Sequence, residues 1–387
     1  MMKTRVVLAV GAFAAAAALV SAAGAAEIPK PTLDLLKKGG YGEADLKGVE
    51  KELAVPAAWI DAAKKEGTLL FRFNVDEKVF GELAPAVQAR YPFIKFEYTQ
   101  GVGAGRAVKP LAAFQTGRLI ADVVTAFGSS MEDYLKSDAL EPLNDLPAYA
   151  AVPDDRKDAK GLWTGFMLSE WCLSYNPTRI KKENLPKTWK DLVAKGSPLA
   201  GGKLGMGNRA HLWIINLWGA YGEDYTKNTF IPAIFKDLKP QLRKEGIDGL
   251  IKLASIGEFD AAVPSAPYRV KLQADKGAPV AAYCPEPVPL YFTEIGLFKN
   301  SPRKHSAKLV LNWLLSKEGQ LVHKVVVGAT PIHKELNDPK YVAYGEEVIG
   351  KKGALRTISM LINDLPKVYE AWNPAWQQAG GPQAQGE

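Results

Sequence analysis

The stretch Thr68-Leu69-Leu70-Phe71-Arg72-Phe73 decides the fold class through what surrounds it. It follows Gly67, is short and apolar, and reads as a strand; residues 78–90 then read as a helix and 93–98 as a second strand. Next come the turn Gly101-Val102-Gly103-Ala104-Gly105, a helical stretch at 106–117 and a strand at 120–127. Strands alternating with helices at this spacing imply βαβ units and a mostly parallel sheet.

The alternation resumes with a strand at 171–175, the turn Asn176-Pro177, a helix from Trp189, a strand at 203–206 and a long helix at 210–221. A helix at 247–255, a strand at 261–264, a helix at 269–276 and a strand at 280–284 follow. The chain then enters Pro285-Glu286-Pro287-Val288-Pro289, which is expected to lie outside a central sheet because proline lacks the ladder N–H. A strand at 294–298, an amphipathic helix at 304–315 and further helices, including 355–362, close the chain. The expected architecture is α/β with two lobes: residues 68–168 plus 290–387 form the first, and 175–283, inserted into it, the second. Residues 27–67 read as a helical lead-in, with Pro56 in a first helical turn and Gly67 as a C-terminal cap.

The first 26 residues have another character. Lys3 and Arg5 precede an apolar run at 6–20, and small residues Ala23-Gly24-Ala25-Ala26 precede Glu27. That order is a secretory signal cleaved near Ala26; the run is short and Ala-rich for a membrane span, although an uncleaved anchor is the other reading. No cysteine lies near the site to take a lipid, so a freely diffusing periplasmic product is expected. About 360 residues then remain, a length that suggests two cores. The formal charge of +7 falls by two with the signal, and the remaining excess is spread along the chain. No basic run is interleaved with aromatics, which argues against a nucleic-acid partner. The two cysteines, Cys172 and Cys284, are even in number in an oxidising compartment, so a disulfide and two free buried thiols are both open.

Several ordered segments resemble the periplasmic substrate-binding proteins of bacterial ABC importers, in the ferric-binding and related extracellular solute-binding group. They are Ala57-Ala58-Trp59-Ile60 with Lys65-Glu66-Gly67, Ala121-Asp122-Val123-Val124, Leu173-Ser174-Tyr175-Asn176-Pro177, and Leu185-Pro186-Lys187-Thr188-Trp189-Lys190-Asp191-Leu192. Lys299-Asn300-Ser301-Pro302 and Ser316-Lys317-Glu318-Gly319-Gln320 complete the series. The resemblance implies a two-lobe clamshell of type II with two crossing hinge strands, at 169–174 and 284–289. It implies a monomer that closes on a small ligand between the lobes and docks on a membrane permease, with no cofactor. Both cysteines fall on the implied crossings, where a Cys172–Cys284 bond would staple the hinge.

In such sheets ligands sit beyond the carboxyl ends of strands. That rule selects Asn74, the turn with Gly103, Gly105 and Arg106, Ser129 and Ser130, Asn208 with Arg209 and His211, and Ser265 with Tyr268 and Arg269. The glycine turn has Arg106 where a dinucleotide fingerprint needs its third glycine, so it reads as a backbone nest for an anion. Arg106, Arg209 and Arg269 are suited to carboxylate, phosphate or phosphonate. Trp171 is expected to stack on an organic ligand. The rival ligand is ferric iron, a hard cation that wants phenolate and carboxylate oxygens. Ferric-binding proteins usually carry adjacent tyrosines where this chain has Pro267-Tyr268-Arg269, although Tyr268, Tyr283 and Tyr291 with Glu170 or Glu286 are a conceivable oxygen set. A hydrolase is the other class considered, but Gly-x-Ser-x-Gly and His-Glu-x-x-His are absent and the four histidines are scattered. A sensory binding protein reporting to a membrane receptor would use the same cleft as an importer's.

Overall fold

The structure, a computed structural model, describes residues 27–75, 77–101 and 105–383. The expected signal at 1–26 and Gly103 lie outside the described residues.

Two mixed sheets organise the chain. Strands β1 (Thr68–Phe73), β2 (Lys95–Gln100), β3 (Val123–Thr125), β4 (Leu140–Glu141) and β5 (Thr164–Glu170) enter the first sheet. Strands β6 (Cys172–Tyr175), β7 (Leu204–Gly207), β8 (Gln241–Arg243), β9 (Ala261–Ser265) and β10 (Ala281–Tyr283) make the second. The chain returns to the first with β11 (Val288–Phe298), β12 (Thr330–Pro331) and β13 (Gly353–Leu355). The first sheet runs β12-β5-β11-β3-β1-β2, with β4 and β13 also on β11, and the second runs β10-β6-β9-β7-β8. The β1–β2 and β1–β3 pairs are parallel, as the alternation implies, whereas the long β11 is antiparallel to β3 and β5.

Each sheet has its own core. Phe71, Phe73, Phe166 and Trp313 anchor the first, and Trp189, Trp213, Phe230 and Trp372 the second. Trp213 and Trp218 point into this second core, as their spacing on one helix suggests. The lead-in is part of the first core: Leu36, Leu46 and Leu53 are buried in it, and Thr32 Oγ1 donates to Glu318 at 2.9 Å.

The chain crosses between the sheets twice around the second sheet. Trp171 separates β5 from β6, and residues 284–287 separate β10 from β11. A disulfide joins Cys172 to Cys284, with Cα atoms 4.5 Å apart, inside a small apolar cluster with Val288, Val342 and Val348.

Two expectations need correcting. Val288-Pro289 is not outside the sheet: β11 starts at Val288, the Pro289 carbonyl accepts from Trp171 N at 2.9 Å, and Pro289 registers with Ala354 of β13. Proline forfeits a donor but keeps its acceptor, and that acceptor serves here. The C-terminal segment also does not stay with the first lobe. After β13, the helices Ile358–Asn363 and Leu365–Gln378 bury Leu361, Val368, Trp372 and Trp376 in the second core. A third connection therefore spans the hinge, held by Trp372 Nε1 donating to Asn208 Oδ1 at 2.7 Å.

Candidate functional site

A cleft of about 620 Å³ lies between the sheets. It is lined where strands end: Asn74 after β1, Gln100 and Gly101 at the end of β2, Ala126 to Ser129 after β3, Arg209 after β7, and Tyr268 and Arg269 after β9. The crossing strands supply Ser169, Trp171, Tyr291, Thr293 and Glu294. The size suits a small organic molecule better than a bare ion.

Four arginines, Arg106, Arg209, Arg269 and Arg356, line this space against two carboxylates, Asp248 and Glu294. Among the described residues the lining thus carries a formal excess of two positive charges. Arg106 begins the helix Gly105–Gln115 and folds back over Gly101, where a Cβ would stand 2.8 Å from Arg106 Cγ. Only a glycine leaves room for that approach. Arg106 Nε is buried and finds no hydrogen-bond partner among the described residues. Arg209 is 5% exposed and precedes the helix Ala210–Tyr221. Arg269 is tied down on its own lobe, donating from Nη1 to Asp248 at 2.9 Å and from Nε to the Tyr268 hydroxyl at 3.1 Å. Burial opposes the Arg269 charge, but Tyr268 and Asp248 outweigh it and raise its pKa.

Arg356 is the member that strand-end reasoning misses. It follows β13, its backbone N–H donates to the Leu290 carbonyl at 2.8 Å, and its Nη1 donates to the His211 carbonyl at 3.3 Å. Its guanidinium carbon sits 4.2 Å from the centroid of Tyr291, which stacks with Trp171 at 5.9 Å. Burial lowers the Arg356 pKa, countered by Glu294, Tyr291 and Tyr369. Burial likewise raises the Glu294 pKa, opposed chiefly by Arg356 and, further down, by Arg106. His211 is pushed down to about 4 by burial and by Arg356 and Arg209, so its imidazole is neutral at physiological pH.

Backbone groups add to the positive field. The helix Ile247–Ser255 has no side-chain cap, and its first turn, Gly246 to Gly249, faces the cleft. After β3, Ala126 (φ 54), Phe127 (φ −60) and Gly128 (φ 55) alternate left- and right-handed conformations. Such alternation forms a concave nest of N–H groups; here Ala126 N–H donates to the Glu294 carbonyl at 2.7 Å and Gly128 N–H to the Glu294 carboxyl, and Ala126 holds a strained backbone there, costing about 1–3 kcal/mol.

The structure therefore gathers Asn74, Arg106, Ser129, Trp171, Arg209, His211, Tyr268 and Arg269 around one space. Other expected site residues lie elsewhere. Asn208 is engaged by Trp372, Ser265 is fully buried against Ser174 Oγ at 2.9 Å, and Glu286 lies on the second crossing with its backbone in contact with Lys187 and Trp189. Gly105 and Ser130 stand in helical turns beside the cleft, outside its lining. The described nest lies at 126–128, whereas the expected one at 101–105 is described only at its two ends.

The arrangement is a polar cleft between two α/β lobes. The sequence profile of the bacterial extracellular solute-binding proteins matches residues 74–321, most of the chain, and the protein belongs to that family. It is a solute-binding protein, not an enzyme. No curated protein matches it in sequence. Among solved structures it resembles apo ferric ion-binding protein A of Pasteurella haemolytica, at 16% identity and a TM-score of 0.63, covering 81% of this chain and 98% of that one. It also resembles the Trichodesmium IdiA/FutA protein in complex with iron and citrate, at 15% identity and 0.65, covering 82% and 100%. A third likeness is AfuA of Actinobacillus pleuropneumoniae with fructose-6-phosphate bound, at 17% identity and 0.59, covering 81% and 99%. Identities this low establish the shared fold.

Proposed function

We propose that the chain is the periplasmic solute-binding component of an ABC import system, exported by the signal at 1–26, and that it captures a small organic anion, carboxylate or phosphate/phosphonate, between its lobes for delivery to a membrane permease. The observation that carries this reading is the convergence of Arg106, Arg209, Arg269 and Arg356 on one cleft, in excess over Glu294 and Asp248. Guanidinium forks match planar and tetrahedral oxyanions, and a partly desolvated site makes such pairs strong. Among the described residues no helix is long and apolar enough to cross a membrane, which accords with a diffusing carrier.

Ferric iron is the second reading, because a solved structure of the same fold holds iron with citrate and because Tyr268, Tyr291 and Tyr369 line the cleft. The charge balance opposes a bare trication. Burial raises the pKa of Tyr268 and Tyr369, which makes phenolate harder to form, and the Tyr268 hydroxyl already accepts from Arg269. Among the described residues no cluster of three or more His, Cys, Asp or Glu side chains is placed to hold a metal. A ferric chelate presenting carboxylates to the arginines would be the form compatible with this cleft.

A thermal-shift series on the mature protein separates the readings, since a ligand of the native state raises the melting temperature. Metal-free dicarboxylates, citrate, phosphonates and sugar phosphates are compared with ferric chloride and ferric citrate. Stabilisation by a metal-free acid supports the anion reading. Stabilisation by iron alone, with a visible charge-transfer colour, overturns it.

A further inference from the structure

The cleft holds more than positive charge. Thr293 is 1% exposed and its Oγ1 has no hydrogen-bond partner among the described residues; Trp171 is 5% exposed and its Nε1 is likewise unpartnered. The buried Asn74 Oδ1 also lacks a partner among them. Beside Thr293, Glu294 is 2% exposed; its carboxyl accepts backbone hydrogen bonds from its own N–H and from Gly128, and Arg356 and Arg106 are its charged neighbours. Buried polar atoms are rarely left without partners, so these three orphans, together with Arg106 Nε, describe what the bound ligand must offer, and the Glu294 carboxyl keeps spare acceptor capacity beside them.

They do not all ask for the same thing. Trp171 Nε1 and Arg106 Nε are donors and call for ligand acceptors, which an ionised acid provides. Glu294 and Asn74 Oδ1 are acceptors and call for ligand donors, which a fully ionised acid without further polar groups lacks. An acid alone would leave Glu294 facing a second negative charge. Ammonium is a poor candidate for the donor, because Arg106 and Arg356 already supply positive charge to Glu294 and Arg356 already covers a face of Tyr291. Neutral hydroxyl groups satisfy the acceptors without that repulsion.

We infer that the ligand is a hydroxylated acid, a polyol phosphate or hydroxy-carboxylic acid, whose acid group meets the arginines while its hydroxyls donate to Glu294 and Asn74. This rests on the anion reading above and narrows it. Asn74 and Glu294 are then the groups that separate hydroxylated from plain acids, because an analogue lacking the hydroxyls leaves Asn74 Oδ1 unpaired and brings only negative charge to Glu294.

Titration calorimetry with pairs matched in acid group tests the inference: glycerol 3-phosphate against propyl phosphate, tartrate against succinate, and 2-aminoethylphosphonate against ethylphosphonate. The hydroxylated member of at least one pair is expected to bind about tenfold tighter or more. Glu294→Gln should reduce that preference at least about fivefold. Should Glu294→Gln not fold, Thr293→Val, which removes only a hydroxyl, is expected to narrow the preference in the same direction. Equal binding within the phosphate and dicarboxylate pairs, with Arg356→Ala still weakening both members, overturns the hydroxylated-acid inference and leaves the anion reading standing. A preference confined to the amino compound also overturns it. If no acid in the set binds, both fall.

Discussion

The guanidinium of Arg356 lies over the ring of Tyr291, 4.2 Å from its centroid, and this contact ties the C-terminal segment to the crossing strand β11 at the floor of the cleft. The Arg356 N–H bond to Leu290 fixes the backbone beside it. The ring and the guanidinium are both planar, so the ring sets the plane in which the remaining N–H groups are presented to a ligand. Arg356→Ala should weaken binding of an acidic ligand by about ten- to a hundredfold, and Arg356→Lys should not restore it, because an ammonium neither stacks as a plane nor offers a fork. Calorimetry on the two variants checks this; full rescue by lysine would reduce Arg356 to a point charge.

The third connection across the hinge predicts a stability cost far from the cleft. Trp372 is fully buried in the second core and donates to Asn208. Trp372→Ala should cost about 3–5 kcal/mol, from lost burial and the cavity left behind, and Asn208→Ala about 1–3 kcal/mol, from an orphaned indole N–H. Denaturant unfolding would read both. A neutral Trp372→Ala would mean that the C-terminal helices are not docked on the second lobe.

Reducing the disulfide should destabilise the protein without closing the cleft to ligand. Cys172 and Cys284 enclose 112 residues of sequence separation, and by the loop-entropy argument a bond spanning about 100 residues contributes roughly 4–5 kcal/mol. Neither sulfur lines the cleft. The Cys172→Ser/Cys284→Ser double variant should melt lower yet keep its affinity to within about twofold; a large loss of affinity would show that the staple sets the hinge geometry needed for binding.

Acid stability should depend on His323. It is 2% exposed between Phe73 and Phe166, and burial pushes its imidazole down to about 3 from the ordinary 6.5. A histidine pKa depressed by folding means that the unfolded chain takes up the proton more readily. Its contribution is therefore fully present above pH 6.5 and is lost as the pH falls toward 3. Melting temperatures from pH 7 to pH 4 should fall less steeply in His323→Leu than in the natural protein. Identical slopes would contradict the assignment. His211, pushed down to about 4, should leave ligand affinity flat between pH 6 and 8 on its own account.

The parts of this molecule that rest on local periodicity are legible before any coordinates. The helices Ala210–Tyr221 and Ile247–Ser255 begin and end where the apolar spacing says, and Asn74, Arg209 and Arg269 reach the cleft because strand ends in an α/β sheet face it. Ser265 defeats the same rule: it is the last residue of β9, yet its hydroxyl turns to Ser174 instead. Arg356 and Glu294 were not legible, and Tyr291 was legible only as an oxygen donor for iron. The first depends on a three-residue strand pairing with a segment more than sixty residues earlier, and the other two on β11, whose start was obscured by Pro289. Long-range pairing leaves no local signature, so the arginine that completes the site had no motif to announce it.

Titration calorimetry of the mature chain with glycerol 3-phosphate, citrate and ferric citrate tests the central claim, that the cleft is an anion site built by arginines. The account predicts that a metal-free acid binds and that Arg106→Ala and Arg356→Ala each weaken it about tenfold or more. Binding seen only when ferric iron is present, or a metal-free acid whose affinity neither variant changes, would contradict it.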